Sequence, residues 1–398
     1  MHESIEVVDM WYFRCPRLIV FGEDALDHLK EIEGKRAFVV TDKTIVKLGF
    51  LDTVLQKLKE SGKEVAFFDG VTPEPPDDVA QACAKQVREF NPDLIIGLGG
   101  GSVIDVAKVS RILNEHPDHP IIDITPLTTI SVSKTTLIAI PTTSGTGSDA
   151  TWAAVITDTK DRNKMELTHP ELMPYISILD PSLTKSMPPK VTASSGMDAL
   201  AQAIDGYTVQ WRNDFSNGLC IHAVRMIFEY LPKAYENPDD SEAREKLHNA
   251  ASICGLAWSN SFLGITHSFG HAMGAVFKIP HGITVGMVLP YSIEYAMKTS
   301  ADLYGELSRA IGTASQTDDD KTATIKLRDA VLKLMKELEA PLSLKEYGIS
   351  KEKFENNYDD LVRFTQESAV NIFNCREPTN EDIERFWHHL FEGKPIDF

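Results

Sequence analysis

The sequence predicts an α/β domain built on a mostly parallel sheet, followed by an all-α domain. Three observations predict it. From residue 18 to about 180, short β-branched runs alternate with amphipathic segments, the pattern of strands joined by crossover helices. One strand-to-helix turn carries Gly99-Gly100-Gly101-Ser102, more glycine than a packing turn needs. After Pro188-Pro189 the β runs stop and helical spacing takes over. A chain of 398 residues is long enough for two cores, and the division is placed at 1–188 and 189–398.

The elements follow in order. Residues 36–42 hold Ala37-Phe38-Val39-Val40 and read as a strand, and 51–61 read as a helix. Residues 64–68 are a strand and 79–90 a helix. The apolar run at 94–97 reads as a buried strand, and 103–113 has the apolar spacing of a helix. Residues 136–140 are the next strand. Beyond the boundary, 192–210, 216–230, 241–260, 291–298 and 322–339 read as helices, separated by polar loops such as Asp318-Asp319-Asp320.

Composition narrows the function. Hydrophobic content of 42% and charged content of 25% describe an ordinary globular protein. With 58 acidic and 40 basic residues the formal charge is −18, which argues against nucleic acid or anionic membrane as partner. The five cysteines include no CxxC pair, so neither a disulfide framework nor a cysteine zinc site is expected, and a cytoplasmic location fits. Residues 1–6 lack the basic and apolar regions of a signal peptide, and no apolar run is long enough to span a bilayer.

Two loops at strand ends carry the first chemistry. Gly99, Gly100 and Gly101 let the backbone approach a bulky anion. The amides that open the following helix, from Ser102, favour a phosphate. Pro141-Thr142-Thr143-Ser144-Gly145-Thr146-Gly147-Ser148 follows the 136–140 strand and offers hydroxyls and amides to phosphate or ribose oxygens. Asp42 ends its strand, where a carboxylate accepts both hydroxyls of an adenosine ribose, or simply caps the next helix.

The helical half carries candidate metal ligands. Asp198, Gln202 and Asp205 share one helix face. His267, His271 and His281 lie close together among glycines. Imidazoles with a carboxylate suit zinc or iron(II). Local spacing does not choose between His267 with His271 and His267 with His281.

These motifs, in this order, resemble the iron-containing (group III) alcohol dehydrogenases. The carriers are Gly99 to Lys108, Pro141 to Ser148, Gly196-Met197-Asp198-Ala199-Leu200, and His267-Ser268-Phe269-Gly270-His271 with Pro280-His281-Gly282. The resemblance implies a Rossmann-like N-terminal domain and a metal-binding C-terminal domain, in the dehydroquinate synthase-like architecture. It implies NAD(P) on Gly99, Gly100, Gly101 and Ser102, with Thr142, Thr143 and Thr146 lining the site and Asp105 counted in the same motif. It places the metal on Asp198, His267 and His281 and makes His271 a nearby non-ligand, either a proton carrier or a hydrogen-bonding partner. It favours NAD over NADP through Asp42. The family usually has histidine four residues after the ligand aspartate; here Gln202 stands there, a weaker ligand whose place in the metal shell is open. The implied reaction is hydride transfer between an alcohol and an aldehyde or ketone, by a homodimer or higher homo-oligomer acting on a small molecule. The rivals are a metal-dependent lyase of the dehydroquinate synthase type and a cofactor-binding scaffold weakened by Gln202. The pocket depends on distant side chains such as Trp152, Phe262 and Cys375, so the alcohol itself is not named by the sequence.

Overall fold

The computed structural model describes residues 11–160 and 164–398, so the reading of residues 1–6 lies outside the described residues. In chain order the N-terminal half runs β1 (Leu18–Phe21), β2 (Arg36–Val40), α1 (Lys43–Lys47), α2 (Phe50–Glu60), β3 (Glu64–Phe68), α3 (Asp77–Phe90), β4 (Leu94–Gly99), α4 (Gly101–Glu115), β5 (Thr136–Pro141), β6 (Ala153–Thr157), β7 (Lys164–Thr168) and β8 (Ile176–Leu179). Six of these strands form one parallel sheet in the order β1-β8-β5-β4-β2-β3.

Strand periodicity explains the two covered faces. Phe38, Val40 and Ile95 pack on one side against Ala80, Ala84 and Val87 of α3 and Val106 and Val109 of α4. Ala37, Val39, Leu94 and Ile96 pack on the other against Leu51, Val54 and Leu58 of α2. All six residues of β4 are buried, as an apolar central strand requires. The chain leaves β2 for β3 on one side, then crosses back to place β4 on the other. The order therefore reverses between β2 and β4, and ligands bind sheets of this kind at the strand ends beside such a reversal. Asp42 follows β2 there, and Gly99–Gly101 closes β4.

The antiparallel pair β6 and β7 was not expected from the sequence. It lies outside the main sheet, with Val155 opposite Glu166. Met165 and Leu167 face inward while Glu166 is turned outward.

The C-terminal half consists of helices: α5 (Pro189–Thr208), α6 (Asp214–Glu236), α7 (Ser241–Trp258), α8 (Ile265–Phe277), α9 (His281–Ile311), α10 (Asp320–Glu337), then the shorter α11 (Leu344–Tyr347), α12 (Lys351–Asn356), α13 (Tyr358–Gln366) and α14 (Asn380–Glu392). Leu200 and Ile204 of α5 join Val224 and Ile227 of α6, Leu247 of α7, Leu289 of α9 and Leu327 of α10 in one core. Each such side chain contributes about 1.5–3 kcal/mol on burial. Helix α9 is much longer than the expected 291–298. Pro290 lies inside it rather than before it, so His281 becomes its first residue; the helix runs to a kink at Ser300, where the backbone leaves helical geometry (φ −136°, ψ 31°), and then continues to Ile311. No helix among the described residues is long and apolar enough to cross a membrane.

Candidate metal and nucleotide site

The glycine run and the threonine loop meet. Helix α4 starts after Gly100 with no side-chain cap, leaving the Gly101 and Ser102 amides without intrahelical partners. The Thr142 amide donates to Gly99 O at 3.0 Å, which sets the second loop beside the first. A methyl group at Gly101 would lie 2.8 Å from Thr146 Oγ1, so only glycine lets the loops close this far. Thr143 stands beside Gly100.

Asp105 does not join them. It is buried, accepts from Ser148 Oγ at 2.6 Å and from the Val155 amide at 3.0 Å, and lies 3.9 Å from Lys108. Fully buried Lys108 donates to Ser148, Thr151 and Ala153 O, and burial lowers it to about 8 against the pull of Asp105 and Asp149. Both side chains of α4 therefore brace the loop from behind. Asp42 is the N-cap of α1: its Oδ1 accepts from Thr44 N at 2.7 Å and Ile45 N at 3.0 Å. The capping alternative is thus realised through one oxygen, and Oδ2 takes no hydrogen bond among the described residues.

Helix α5 brings the other half of the site to the same loop. A methyl group at Gly145 would lie 2.6 Å from Ser195 Cβ, and Ser195 is three residues before Asp198. Asp198, Gln202 and Asp205 are all buried on a helix whose buried residues are mostly apolar, where an unpaired carboxylate costs several kcal/mol. Their partners show why they are there. His267 Nδ1 donates to Asp205 Oδ2 at 2.8 Å. Asp205 also accepts from Thr266 Oγ1 at 2.6 Å and the Gly264 amide at 3.0 Å. His267 Nε2 then faces Asp198 Oδ1 at 3.8 Å and has no hydrogen-bond partner. His281 Nε2 approaches the same oxygen at 3.5 Å. One ligand atom each from Asp198, His267 and His281 lies within 4.8 Å of the other two. A buried nitrogen without a partner, beside a second imidazole and a carboxylate, fits a borderline divalent ion. Gln202 donates its amide nitrogen to Asp198 Oδ1 at 3.1 Å, and its buried Oε1 has no partner.

The two imidazoles have opposite electrostatics. Burial pushes His267 down, but the carboxylates of Asp198 and Asp205 outweigh it and raise the group to about 9. His281 lies well below the ordinary histidine range, because of burial and then the nearby His271, Lys164 and His267 charges.

His271 lies beside the triad, its ring centroid 5.0 Å from that of His281 and 6.0 Å from that of His267, but its Nδ1 is taken by another partner. Its Nδ1 donates to Glu166 Oε1 at 2.6 Å. Burial pushes Glu166 up, but His271 outweighs it and the carboxyl lies below its usual range. Glu166 was missed by the sequence reading; it arrives from β7, 105 positions away. The alternation in Lys164-Met165-Glu166-Leu167-Thr168 was the signal that marks it as a strand residue facing out.

Comparison with known proteins gives a consistent picture. A family profile described as iron-containing alcohol dehydrogenase matches residues 16–181, and one described as the C-terminal part of the Fe-containing alcohol dehydrogenase family matches residues 192–391. The NADPH-dependent butanol dehydrogenase of Clostridium saccharobutylicum is 39% identical over 98% of this chain and 100% of its own. The alcohol dehydrogenase from Oenococcus oeni superposes with a TM-score of 0.91 at 29% identity, over 96% of this chain and 100% of that one. The sulfoacetaldehyde reductase from Bifidobacterium kashiwanohense, solved with NAD+, superposes with a TM-score of 0.85 at 29% identity, over 96% and 98%.

Proposed function

The chain belongs to the iron-containing alcohol dehydrogenase family, and on that premise we propose that it interconverts an alcohol with its aldehyde or ketone at a metal held by Asp198, His267 and His281, with NAD as hydride carrier. The observation that carries the assignment is the unpartnered Nε2 of buried His267 beside Asp198 and His281. The metal is iron(II), with zinc the alternative that reconstitution distinguishes. When bound, the metal polarises the substrate oxygen and the nicotinamide takes or gives the hydride.

The chain's own residues do the rest. Asp205 fixes the His267 ring through Nδ1, so that Nε2 is aimed at the centre. The Gly101 and Ser102 amides receive the pyrophosphate, and Thr142, Thr143 and Thr146 line its path. The free Oδ2 of Asp42 meets the adenosine ribose and repels a 2′-phosphate. Glu166 orients His271, which passes the substrate proton toward solvent at Nε2. A lyase of the dehydroquinate synthase type is not favoured, since both matching profiles are those of alcohol dehydrogenases.

The assembly is read as a homodimer or higher oligomer. Edge strand β1 supports this, with Leu18 and Phe21 exposed on a strand that pairs on one side only among the described residues. Five free cysteines support a reducing, cytoplasmic setting. The test of function follows nicotinamide absorbance with aliphatic alcohols and aldehydes. Turnover should vanish on chelation and return with iron(II). Turnover that persists after exhaustive chelation, or none with any substrate and metal, overturns the reading.

A further inference from the structure

The loop that follows β5 has two sets of side chains. Thr143 and Thr146 are half-buried beside Gly100 and Gly101, where α4 opens. Ser144, Ser148 and Asp149 are buried and take their partners elsewhere. Ser148 is held by Asp105 and Lys108 of α4. Ser144 and Asp149 reach instead to α7, in the helical half.

These contacts fall on one stripe of α7. Ser144 Oγ shares a hydrogen bond of 3.1 Å with His248 Nδ1. Gly147 lies against the helix backbone: a methyl group there would lie 2.5 Å from Ala251 O, and one at Gly255 would strike Gly147 O. Asp149 Oδ2 accepts from Ser252 Oγ at 2.7 Å and also from Ser177 Oγ of β8 at 2.7 Å. The Trp152 indole N–H donates to Ser259 O, just past the end of the helix. Residues 248, 252, 255 and 259 succeed one another at the spacing of a single helix face. The segment from Ser144 to Trp152 therefore runs alongside α7, meeting it in sequence order.

The polar members of this contact cost free energy to bury. Burial draws the His248 ring down to about 4, against the pull of Asp149 and Asp180, so it is neutral near pH 7, and its Nε2 has no hydrogen-bond partner. Asp149 is a buried carboxylate held by two serine hydroxyls. Well-packed apolar side chains would join the two halves at lower cost. What the hydrogen bonds add is direction. They fix how the loop is turned, and with it the aim of Thr143 and Thr146.

We propose that His248 and Ser252 of α7 are positioning residues for the nicotinamide cofactor, which hold the back of the loop so that Thr143, Thr146 and the neighbouring amides keep the shape that the pyrophosphate needs. Each acts through a loop residue, His248 through Ser144 and Ser252 through Asp149. This rests on the reading above in which that loop and Gly99–Ser102 hold NAD. Both residues belong to the half of the chain that carries the metal triad, so cofactor affinity is set in part from outside the nucleotide domain.

The test measures the dissociation constant of NADH by nicotinamide fluorescence and, on the same preparations, iron(II) affinity by chelator competition. Wild type is compared with His248→Leu, His248→Asn and Ser252→Ala. Leucine fills the place of the ring without its nitrogen, whereas asparagine puts an amide group where Nδ1 stands and keeps a partner for Ser144. NADH should bind about tenfold more weakly to His248→Leu and Ser252→Ala, with iron(II) affinity unchanged, and His248→Asn should stay close to wild type. The KM for NAD should rise in the same order while kcat changes little. Ser252→Ala removes a single hydroxyl and decides the matter where His248→Leu does not fold. Unchanged NADH binding in the folded variants overturns the proposal. Equal weakening of NADH and iron(II), or a His248→Asn variant as weak as His248→Leu, means that α7 only supports the fold, and overturns it too. If wild type itself binds no NADH, the cofactor reading falls and the positioning role falls with it.

Discussion

Replacing Asp205 by asparagine isolates the contribution of a residue that touches no metal in this account. The substitution is nearly isosteric. An asparagine oxygen in the place of Oδ2 still accepts from His267 Nδ1 and the Gly264 amide, which lie 2.8 and 3.0 Å away. Its amide nitrogen takes the place of Oδ1 beside Thr266, whose hydroxyl turns to Ser292 Oγ at 2.8 Å. The packing therefore survives and the charge does not. That charge makes His267 a more basic ligand, and loss of such an outer partner lowers metal affinity about 10- to 100-fold. The corresponding free energy is about 1.4 to 2.8 kcal/mol. Competition of the metal-loaded protein against a chelator of known affinity reads it directly, with thermal unfolding of the metal-free protein as control. Unchanged affinity in Asp205→Asn would refute the argument that Asp205 acts through His267. A collapse of the metal-free fold would refute the claim that the substitution is isosteric.

Three further outcomes follow from the same geometry. In metal-free protein His267 is raised to about 9, and its proton must leave before a metal binds, so affinity should climb about tenfold per pH unit from near 6.5 to about 9 and then level off. By the same shift its contribution to the stability of the metal-free protein is complete below about pH 6.5 and is lost as pH rises through about 9; calorimetric metal titration at a series of pH values checks the first and denaturant unfolding of the metal-free protein over the same pH values checks the second, and a flat affinity or a flat stability across this window contradicts the respective outcome. Asp42→Gly should raise the NADP-to-NAD ratio of kcat/KM about tenfold or more while costing only a few tenths of a kcal/mol in helix capping, and a wild type that already prefers NADP several-fold sinks the assignment. Gln202→His should tighten metal binding by about tenfold or more, since position 202 lies one turn after Asp198 and its amide already reaches Asp198 Oδ1; equal affinities in a chelator competition mean that position 202 stays out of the metal shell.

The parts of the molecule that were legible in the sequence are those whose chemistry is local. The β4 strand is an unbroken apolar run, and its glycines sit next to it, so strand, turn and helix announce themselves within about twenty residues. Asp198, Gln202 and Asp205 share a helix face by periodicity alone. What stayed hidden depends on the fold bringing remote segments together. Glu166 meets His271 only because an antiparallel ribbon carries it to α8, and five residues that include lysine, glutamate and threonine give a weak strand signal. Asp105 looked like part of the phosphate motif because it follows the glycines, yet helical phase turns it inward to Ser148 and Val155. Asp42 supports both of its readings, since its two oxygens are free to do different things. Pro290 masked the first turns of α9, because a proline reads as a helix start more easily than as an interior residue.

Metal content decides the central claim most directly. Wild type, His267→Ala, His281→Ala and His271→Ala would be purified alike, stripped, reloaded with iron(II) or zinc, and measured by elemental analysis after gel filtration. The account predicts that the His267 and His281 variants lose stoichiometric metal while the His271 variant keeps it and loses turnover. A His271 variant that comes off the column metal-free, beside a His281 variant that retains its ion, would contradict the assignment.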